Sequence, residues 1–581
     1  MSDYTSDHHA GLPATEQPPP PPARRLGVLP VVASVLAVVL VLAGGVVLWR
    51  TLAASGPRPA EVLPSSTFAL VTLDLDPSAG QKVEAIKTLR KLPSWNERTG
   101  VRPDSDLVKV LFERAQKDGF CPKLDYDEDV KPWVGQRAGV GGVLLGDKPA
   151  PVLALQVKDT GKARDAFGDL VSCADAGKDI GWTLTDDYLV VSDSTSHAEA
   201  IVAAGGKAPL AEDSAYQKWT DEAGGDGIVN AYVARSAVKV LQKQLKSGLG
   251  GLVPGAGLGL PGELPSGFPS DLPTALPSDF PGDLPSDFPT DVPSELSQLT
   301  EQPAGAGASA PYRSTAKTAD DPSEAIDQVF KDFRGAAAVL RFADGGLELS
   351  VASGGAKQAG RASLGNHVTD LPKDTAAVIA LAVPDSALDA LGSGAGKILT
   401  GLIGRASGLD IPEDLKTLFG NSLSISLGGD APSDLGSVSG PGDLPLGLLV
   451  NGDAQAIEKV VAKVEARTGR KLSDLPATLE SKDGKVALAS TPAYAEQLLG
   501  QGSLGDDDDF KDAAPHADDS LALAYVSFDN DWTDALQDLA KDEDDPDAKE
   551  AATNLAALRA FGASAWTDGD TGHALVRLTL K

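Results

Sequence analysis

The chain has 581 residues, of which 42% are hydrophobic, and its 82 acidic residues outnumber the 51 basic ones to give a formal net charge of −31. This length predicts several domains, and the hydrophobic fraction is large enough to build buried cores. An acidic surface of this size repels phosphate groups, so the composition argues against nucleic acid as a partner and against anionic lipid headgroups.

The first predicted element is an uncharged apolar segment, Leu26–Trp49, which follows a proline-rich tail over residues 1–25. At about 1.5 Å per residue, this segment is long enough to cross a bilayer as one helix. A cleaved secretory signal is the alternative, but its apolar core normally runs about 7–15 residues. Trp49 and Arg50 end the segment as an interfacial anchor does. We therefore expect a retained transmembrane helix over residues 26–49, a disordered cytoplasmic tail and an extracytoplasmic body.

The body after the anchor contains segments that recur in the same order. Residues 63–73 match residues 371–381 at five of eleven positions, and residues 125–135 match residues 410–420 equally well. Two further pairs keep this order, residues 189–199 with 486–496 and residues 228–233 with 521–526. Four matches in one order predict a tandem duplication, with repeat 1 over residues 58–356 and repeat 2 over residues 368–581.

Each repeat is predicted to be an α+β unit with an antiparallel sheet. Apolar runs and turn residues predict the strands and hairpins, and apolar residues at helical spacing predict the helices between them. Because consecutive hairpins pair antiparallel, we expect the helices to cover one face of the sheet. In repeat 1 the apolar run of the 63–73 block predicts a first, buried strand. The further predicted strands are 138–145, 152–157, 182–191 (a hairpin), 228–234, 336–342 and 347–351, and the predicted helices are 81–91, 162–171, 196–204 and 215–222.

Repeat 1 also carries an insert over residues 247–322 that repeat 2 lacks. Proline occupies every fourth position from Pro261 to Pro293, and a Leu, Phe or Val precedes each of these prolines. Proline at this spacing interrupts a helix and pushes the preceding residue toward extended geometry. We name Leu260–Leu296 the proline ladder. It is predicted to be a disordered, low-complexity loop, with a docking strip for a partner as the alternative.

The sequence holds two cysteines, Cys121 and Cys173, and neither belongs to a Cys-x-x-Cys pair. On the outer side of a membrane, thiols tend to oxidise to disulfides. We therefore expect one structural disulfide between them, with two buried free thiols as the alternative.

The residues that could carry catalysis do not form a recognised pattern. The sequence has no Gly-x-Ser-x-Gly turn, and its six histidines lack metal-ligand spacing, so we expect them at the surface. Gly392–Lys397 resembles a phosphate loop, but Ile398 stands where Ser or Thr would hold magnesium. The acidic runs at 506–509 and 542–545 are expected to be solvated loops, with calcium binding as the alternative. We expect no catalytic, cofactor-binding or metal site.

Ala60–Leu70, the following Val71–Pro77 and the later Lys91–Pro93 carry a family resemblance. They resemble the DUF3352 family of uncharacterised bacterial proteins, and the composition suggests an actinobacterial member. The likeness is expected to extend over residues 58–581, without the proline ladder. It implies an envelope protein with one N-terminal span and no assigned activity, and it supplies no catalytic residues.

Three functions remain open from the sequence. The first is a single-pass, membrane-anchored extracytoplasmic protein of the plasma membrane that binds or scaffolds another envelope protein and is not an enzyme. The second is a carrier or chaperone for a lipid or other apolar ligand, which needs an apolar cavity open at one edge. The third is an enzyme with a dispersed carboxylate site, which needs converging acids of perturbed pKa.

Overall fold

The computed structural model describes most of the chain after the predicted anchor. The predicted transmembrane segment, the proline ladder and Gly392–Lys397 lie outside the described residues. Within the described residues, no helix is both long and apolar enough to cross a membrane. The described residues are 58–75, 79–91, 106–117, 121–173, 180–246, 330–355, 362–384, 408–430, 432, 438, 440–469, 471–474, 476–542 and 546–581.

The fold is α+β, with antiparallel strands and helices, as predicted. The strands are β1 (Thr67–Asp74), β2 (Val134–Leu145), β3 (Lys148–Val157), β4 (Gly181–Leu184), β5 (Tyr188–Ser192), β6 (Val229–Ala234), β7 (Gly335–Ala343), β8 (Gly346–Gly354), β9 (Ala377–Ala382), β10 (Ser422–Leu427), β11 (Leu446–Asn451), β12 (Thr478–Lys482), β13 (Lys485–Ala489), β14 (Ala522–Ser527), β15 (Leu558–Asp568) and β16 (Thr571–Leu580).

The helices connect these strands. They are α1 (Pro59–Val62), α2 (Ala79–Arg90), α3 (Leu107–Lys117), α4 (Thr160–Cys173), α5 (Thr195–Gly205), α6 (Ser214–Glu222), α7 (Ser236–Lys246), α8 (Glu413–Phe419), α9 (Ala454–Thr468), α10 (Pro492–Leu499), α11 (Asp508–Ala513), α12 (Asp531–Asp542) and α13 (Pro546–Ala557). A π-helix at Tyr126–Val130 and short 3-10 turns, including Leu504–Asp506, complete the set.

Local sequence explains where these elements begin and turn. The side chain of Asp453 accepts hydrogen bonds from the backbone N–H groups of Gln455 and Ala456 and so caps the start of α9. The Asp344–Gly345 pair has positive φ at both residues, 49° and 74°, as a tight turn between antiparallel strands requires. This turn joins β7 to β8, where the sequence predicts a hairpin.

All sixteen strands form one antiparallel sheet. Its order is β12-β13-β11-β10-β9-β14-β15-β16-β8-β7-β6-β1-β2-β3-β5-β4. At about 4.8 Å between neighbouring strands, the sheet is about 70 Å wide before twist is considered. The order of the first eight strands, β4-β5-β3-β2-β1-β6-β7-β8, recurs in the second eight as β12-β13-β11-β10-β9-β14-β15-β16. The two sets meet where β8 pairs with β16, and we call this pairing the seam.

Helices lie on both faces of the sheet. We call face A the side that bears Tyr188 and Val190, which pack in one core with Ile201 of α5. Leu189 and Val191 point to the opposite side, face B, where they pack with Phe167 of α4. The prediction that helices cover one face is therefore wrong. A strand that is buried on both sides has apolar residues at every position, so its sequence does not show which sides of the sheet carry helices.

The second half is layered in the same way. Leu449 and Ala487 on face A pack with Tyr494 of α10. Val450 and Val486 on face B pack with Ile457 of α9. Each half therefore has its own core on each side, and the continuous sheet joins them.

Candidate functional site: an apolar patch on face B

Two central strands of the second half, β9 and β10, expose apolar side chains. Ile379 of β9 lies directly opposite Ile425 of β10, and Leu381 lies opposite Leu423. Their strand neighbours Val378 and Ala380 point to face A and are buried in the second-half core. Because side chains alternate along a strand, Ile379, Leu381 and Ile425 all point to face B.

These three side chains are accessible to solvent. Ile379 is 63% exposed, Leu381 45% and Ile425 56%. We call Ile379, Leu381 and Ile425 the apolar patch. Single exposed apolar residues are ordinary, but contiguous ones on a soluble surface mark a binding surface more often than chance.

Among the described residues, the exposed large apolar strand residues all lie on face B. Val233 of β6 and Leu349 of β8 are each 37% exposed. Tyr232, next to Val233, and Ala352, three positions after Leu349, belong to the face A core of the first half, so Val233 and Leu349 point to the opposite face. All five large apolar strand residues that are exposed in the described part of the chain therefore point to face B, and three of them form the apolar patch.

An acidic helix begins at the end of β10, three residues beyond Ile425. Trp532, in the first turn of α12, donates a hydrogen bond from Nε1 to the carbonyl oxygen of Gly428 at 2.8 Å, and Gly428 follows β10 directly. The helix carries four aspartates and one lysine. Leu536 on this helix is 47% exposed. The surroundings of the patch thus combine apolar surface with negative charge.

One surface depression, of about 450 Å³, lies at the end of β9 and β11. Polar groups, including Asn421, Asn451 and Thr417, contribute to its lining. Asp453 also lines it, but its carboxylate already accepts the two backbone hydrogen bonds that cap α9. This mixed, open lining does not form the apolar cavity that a lipid carrier needs.

A second depression, of about 820 Å³, surrounds the β7–β8 turn. Its floor holds Glu348, whose side chain is 1% exposed and is bound by two arginines. Arg341 donates from Nε to Oε1 at 2.8 Å, and Arg577 donates from Nε to Oε2 at 2.6 Å. We call Arg341, Glu348 and Arg577 the seam triad, because it ties β7 and β8 to β16.

The carboxylates around the second depression are held by cations. A hydrogen bond from Lys87 lowers the pKa of Glu84, so this carboxyl is ionised at neutral pH and cannot act as a proton donor. Arg58 forms a two-pronged ion pair with Asp226, with contacts of 2.6 and 2.5 Å. This arrangement fits structural ion pairing better than acid–base catalysis.

The four histidines that the structure describes do not form a ligand set. In the described residues, no group of three or more His, Cys, Asp or Glu side chains is placed to hold a metal ion. His516 stacks on Trp566 with 3.8 Å between ring centroids, and His573 lies on the same tryptophan at 5.2 Å. His197 pairs with Asp193 at 2.5 Å in an exposed helix start.

His367 departs from the prediction of a surface histidine. It is 1% exposed, and its Nε2 lies 3.1 Å from the hydroxyl of Ser424. Burial lowers the pKa of His367 to about 4. The prediction is wrong here because nothing in the local sequence shows that the turn after Leu364 folds back onto β10.

The acidic run at 506–509 is structured and partly paired. Asp507 caps α11 by accepting a hydrogen bond from the N–H of Phe510, and Asp509 lies 3.2 Å from Arg559. Burial raises the pKa of Asp509. The expectation of a solvated loop is therefore wrong for this run. The second run, 542–545, lies largely outside the described residues.

Cys121 is disulfide-bonded and 1% exposed. Its Sγ lies 3.7 Å from the carbonyl oxygen of Leu170, in the last turn of α4, which ends at Cys173. Cys173 is the other cysteine of the chain, and its side chain lies outside the described part of the structure. The pairing of the two remains a prediction.

Neither the apolar patch nor the seam triad is predicted from the sequence. The run Ala377–Ala382 is apolar at every position, which is typical of a strand buried on both sides. In β10, Ser422–Leu427, serine alternates with apolar residues. This alternation is the one local signal that the two faces of the strand differ in polarity. Arg577 lies more than 200 positions from Arg341 and Glu348 in the chain, so no local pattern predicts that it completes the triad.

The comparisons with known proteins yield one match. A family model described as a protein of unknown function, DUF3352, matches residues 28–254. The resemblance inferred from Ala60–Leu70 is thereby confirmed, although the match ends well before the expected limit at residue 581. Curated proteins and solved structures show no match to this chain.

Proposed function

We propose that this chain, whose residues 28–254 belong to the DUF3352 family, is a single-pass membrane-anchored protein that binds or scaffolds a partner in the cell envelope. The observation that carries the proposal is the apolar patch on face B. Full burial of an Ile or Leu side chain contributes about 1.5–3 kcal/mol, and covering the exposed half of one contributes about half of that. Three such residues side by side on a rigid sheet offer a contiguous apolar surface to a partner.

The location of the protein rests on separate support. The predicted anchor Leu26–Trp49 leaves the described body on one side of a membrane. The disulfide at Cys121 favours the extracytoplasmic side, because disulfides persist in oxidising compartments. We therefore propose the plasma membrane, with a cytoplasmic N-terminus.

A lipid carrier and an enzyme remain as alternatives with less support. The two depressions are open and partly polar, whereas a carrier needs an enclosed apolar cavity. The carboxylates Glu84, Asp226 and Glu348 are each bound by a cation. The apolar patch, in contrast, has no comparable partner among the described side chains, since its residues remain about half exposed or more.

We also propose that the body arose by tandem duplication. Supporting it are the four sequence matches and the recurrence of one eight-strand order in both halves. The seam pairs the last strand of one half with the last strand of the other. A single ancestral unit would pair with its own copy in this way, with the two strands related by a twofold axis.

Site-specific photo-crosslinking in native membranes tests the proposed function. A photoreactive residue at position 379 should give a discrete protein adduct. The control position is Glu480, which is exposed on β12 and points to face A because it lies opposite Ala487. Adducts at neither position, or equal adducts at both, would count against the patch as the binding surface. Recovery of lipid alone at position 379 would favour the carrier.

A further inference from the structure

The partner of the apolar patch cannot add itself to the sheet. Both patch strands are interior: β9 lies between β10 and β14, and β10 lies between β9 and β11. Their backbone N–H and C=O groups are therefore used in the sheet. A partner must bring apolar side chains while satisfying its own backbone hydrogen bonds, and an α-helix does this.

The dimensions of the patch also fit a helix. Ile379 and Leu381 are two residues apart on one strand, or about 7 Å, and Ile425 lies one strand away, at about 5 Å. Residues i and i+4 of a helix are about 6 Å apart along its axis. One apolar helical stripe can therefore cover all three side chains.

The negative charge near the patch favours a helix whose polar face is basic. Asp531, Asp534 and Asp538 are exposed on α12, the helix whose first turn is hydrogen-bonded to the end of β10. The protein as a whole carries a net charge of −31. A partner with lysine or arginine flanking its apolar stripe is attracted to this surface, and an acidic partner is repelled.

We propose that the apolar patch binds a cationic amphipathic helix of a partner protein. This inference rests on the proposed function and makes its partner specific. The apolar stripe of the helix covers Ile379, Leu381 and Ile425, and its basic residues lie toward the aspartates of α12.

Peptide binding to the full-length protein in detergent tests this inference. The probe is a fluorescent amphipathic helix of about 18 residues with a leucine stripe and lysine on its polar face. A matched peptide has glutamate in place of every lysine. Three double variants of the protein complete the design: Ile379→Thr with Ile425→Thr, Asp534→Asn with Asp538→Asn, and the control Val233→Thr with Leu349→Thr, which removes exposed apolar residues of face B outside the patch.

The lysine peptide should bind about tenfold or more tightly than the glutamate peptide, which corresponds to about 1.4 kcal/mol. The patch variant should weaken its binding by about tenfold, the aspartate variant by about threefold, and the control variant by less than about twofold. Lysine-peptide binding that survives the patch variant would overturn the inference, because it would show attraction by charge alone. Equal binding of both peptides, lost in the patch variant, would overturn the cationic partner and leave the proposed function standing. If neither peptide binds, the inference of a helical partner is overturned. The crosslinking at position 379 then tests the proposed function separately.

Discussion

Glu348 of β8 and Arg577 of β16 lie directly opposite each other across the seam, with 2.6 Å between Oε2 and Nε. Arg341 approaches the same carboxylate from β7, so one buried acid joins three adjacent strands. Each arginine also donates to a backbone carbonyl, Arg341 to Gly224 and Arg577 to Asp512. The two halves of the protein are thus held together by charge as well as by the backbone pairing of β8 with β16.

Removing the acid of the seam triad should destabilise the protein strongly. Glu348→Ala leaves two arginines close together without their shared partner, and loss of one member of a buried ion pair costs about 3–5 kcal/mol. Urea unfolding monitored by circular dichroism measures this change. Glu480→Ala on the exposed edge strand β12 is the control and should change stability by less than about 0.5 kcal/mol. A loss of less than about 1 kcal/mol in Glu348→Ala would show that the triad does not hold the seam.

Stability should fall in mild acid because of His367. Its pKa is about 4 in the folded protein, against about 6.5 in an unfolded chain. Between these values the unfolded chain binds a proton that the folded chain does not, so stability rises with pH across this window. Lowering the pH from 7 to 4 should remove up to about 3 kcal/mol through this residue.

His367→Gln supplies the comparison for that pH dependence. Glutamine keeps a hydrogen-bonding group near Ser424 and does not titrate. Urea midpoints of both proteins between about pH 4 and 6.5 should show a steeper decline in the wild type. Parallel curves would mean that acids elsewhere account for the whole effect.

The disulfide should contribute substantially to the stability of the first half. A bond between Cys121 and Cys173 closes a loop of about 50 residues, which corresponds to about 4 kcal/mol in the chain-entropy description. The double variant Cys121→Ser with Cys173→Ser should lose about this amount in urea unfolding. Maleimide labelling of the denatured, non-reduced protein should find no thiol. Two labelled thiols would contradict the bond.

The proline ladder should be dispensable for folding. Deletion of Leu260–Leu296 leaves β6, α7 and β7 intact, because all described elements lie outside the deleted residues. The length of a surface loop has a small effect on stability, about 0.6 kcal/mol for each doubling. The melting temperature of the deletion should stay within about 4 °C of the wild type. Loss of a cooperative melt would show that the ladder is part of a core.

Local sequence patterns predicted the strands and helices, but they did not predict pairings between residues that are far apart in the chain. Alternation and the Asp344–Gly345 turn placed β7 and β8 within a few residues of their observed ends, because side-chain period and turn chemistry are local. β8 pairs with β16, which lies more than 200 positions away in the chain. The sequence of an edge strand does not specify which distant strand pairs with it. The prediction of two repeats therefore did not include the continuation of one sheet into the other.

The apolar patch shows the same limit for the site. Ile379 and Val378 are equally apolar in sequence, yet Val378 is 2% exposed and Ile379 63%. Val378 packs in the face A core of the second half whereas Ile379 points to the opposite face, and this difference is decided by tertiary contacts. Exposed apolar strand residues can be recognised as a candidate binding site only when the packing on each face of the sheet is known.

The most direct measurement of the central claim is the size of the full-length protein extracted from native membranes in a mild detergent. Wild type and the control variant Val233→Thr with Leu349→Thr should elute on size exclusion with a bound partner. Ile379→Thr with Ile425→Thr should elute at the size of the free protein while its melting temperature stays within about 4 °C of the wild type, since threonine suits an exposed strand position. An elution profile of the patch variant that matches the wild-type complex would contradict the assignment of the apolar patch as the binding surface.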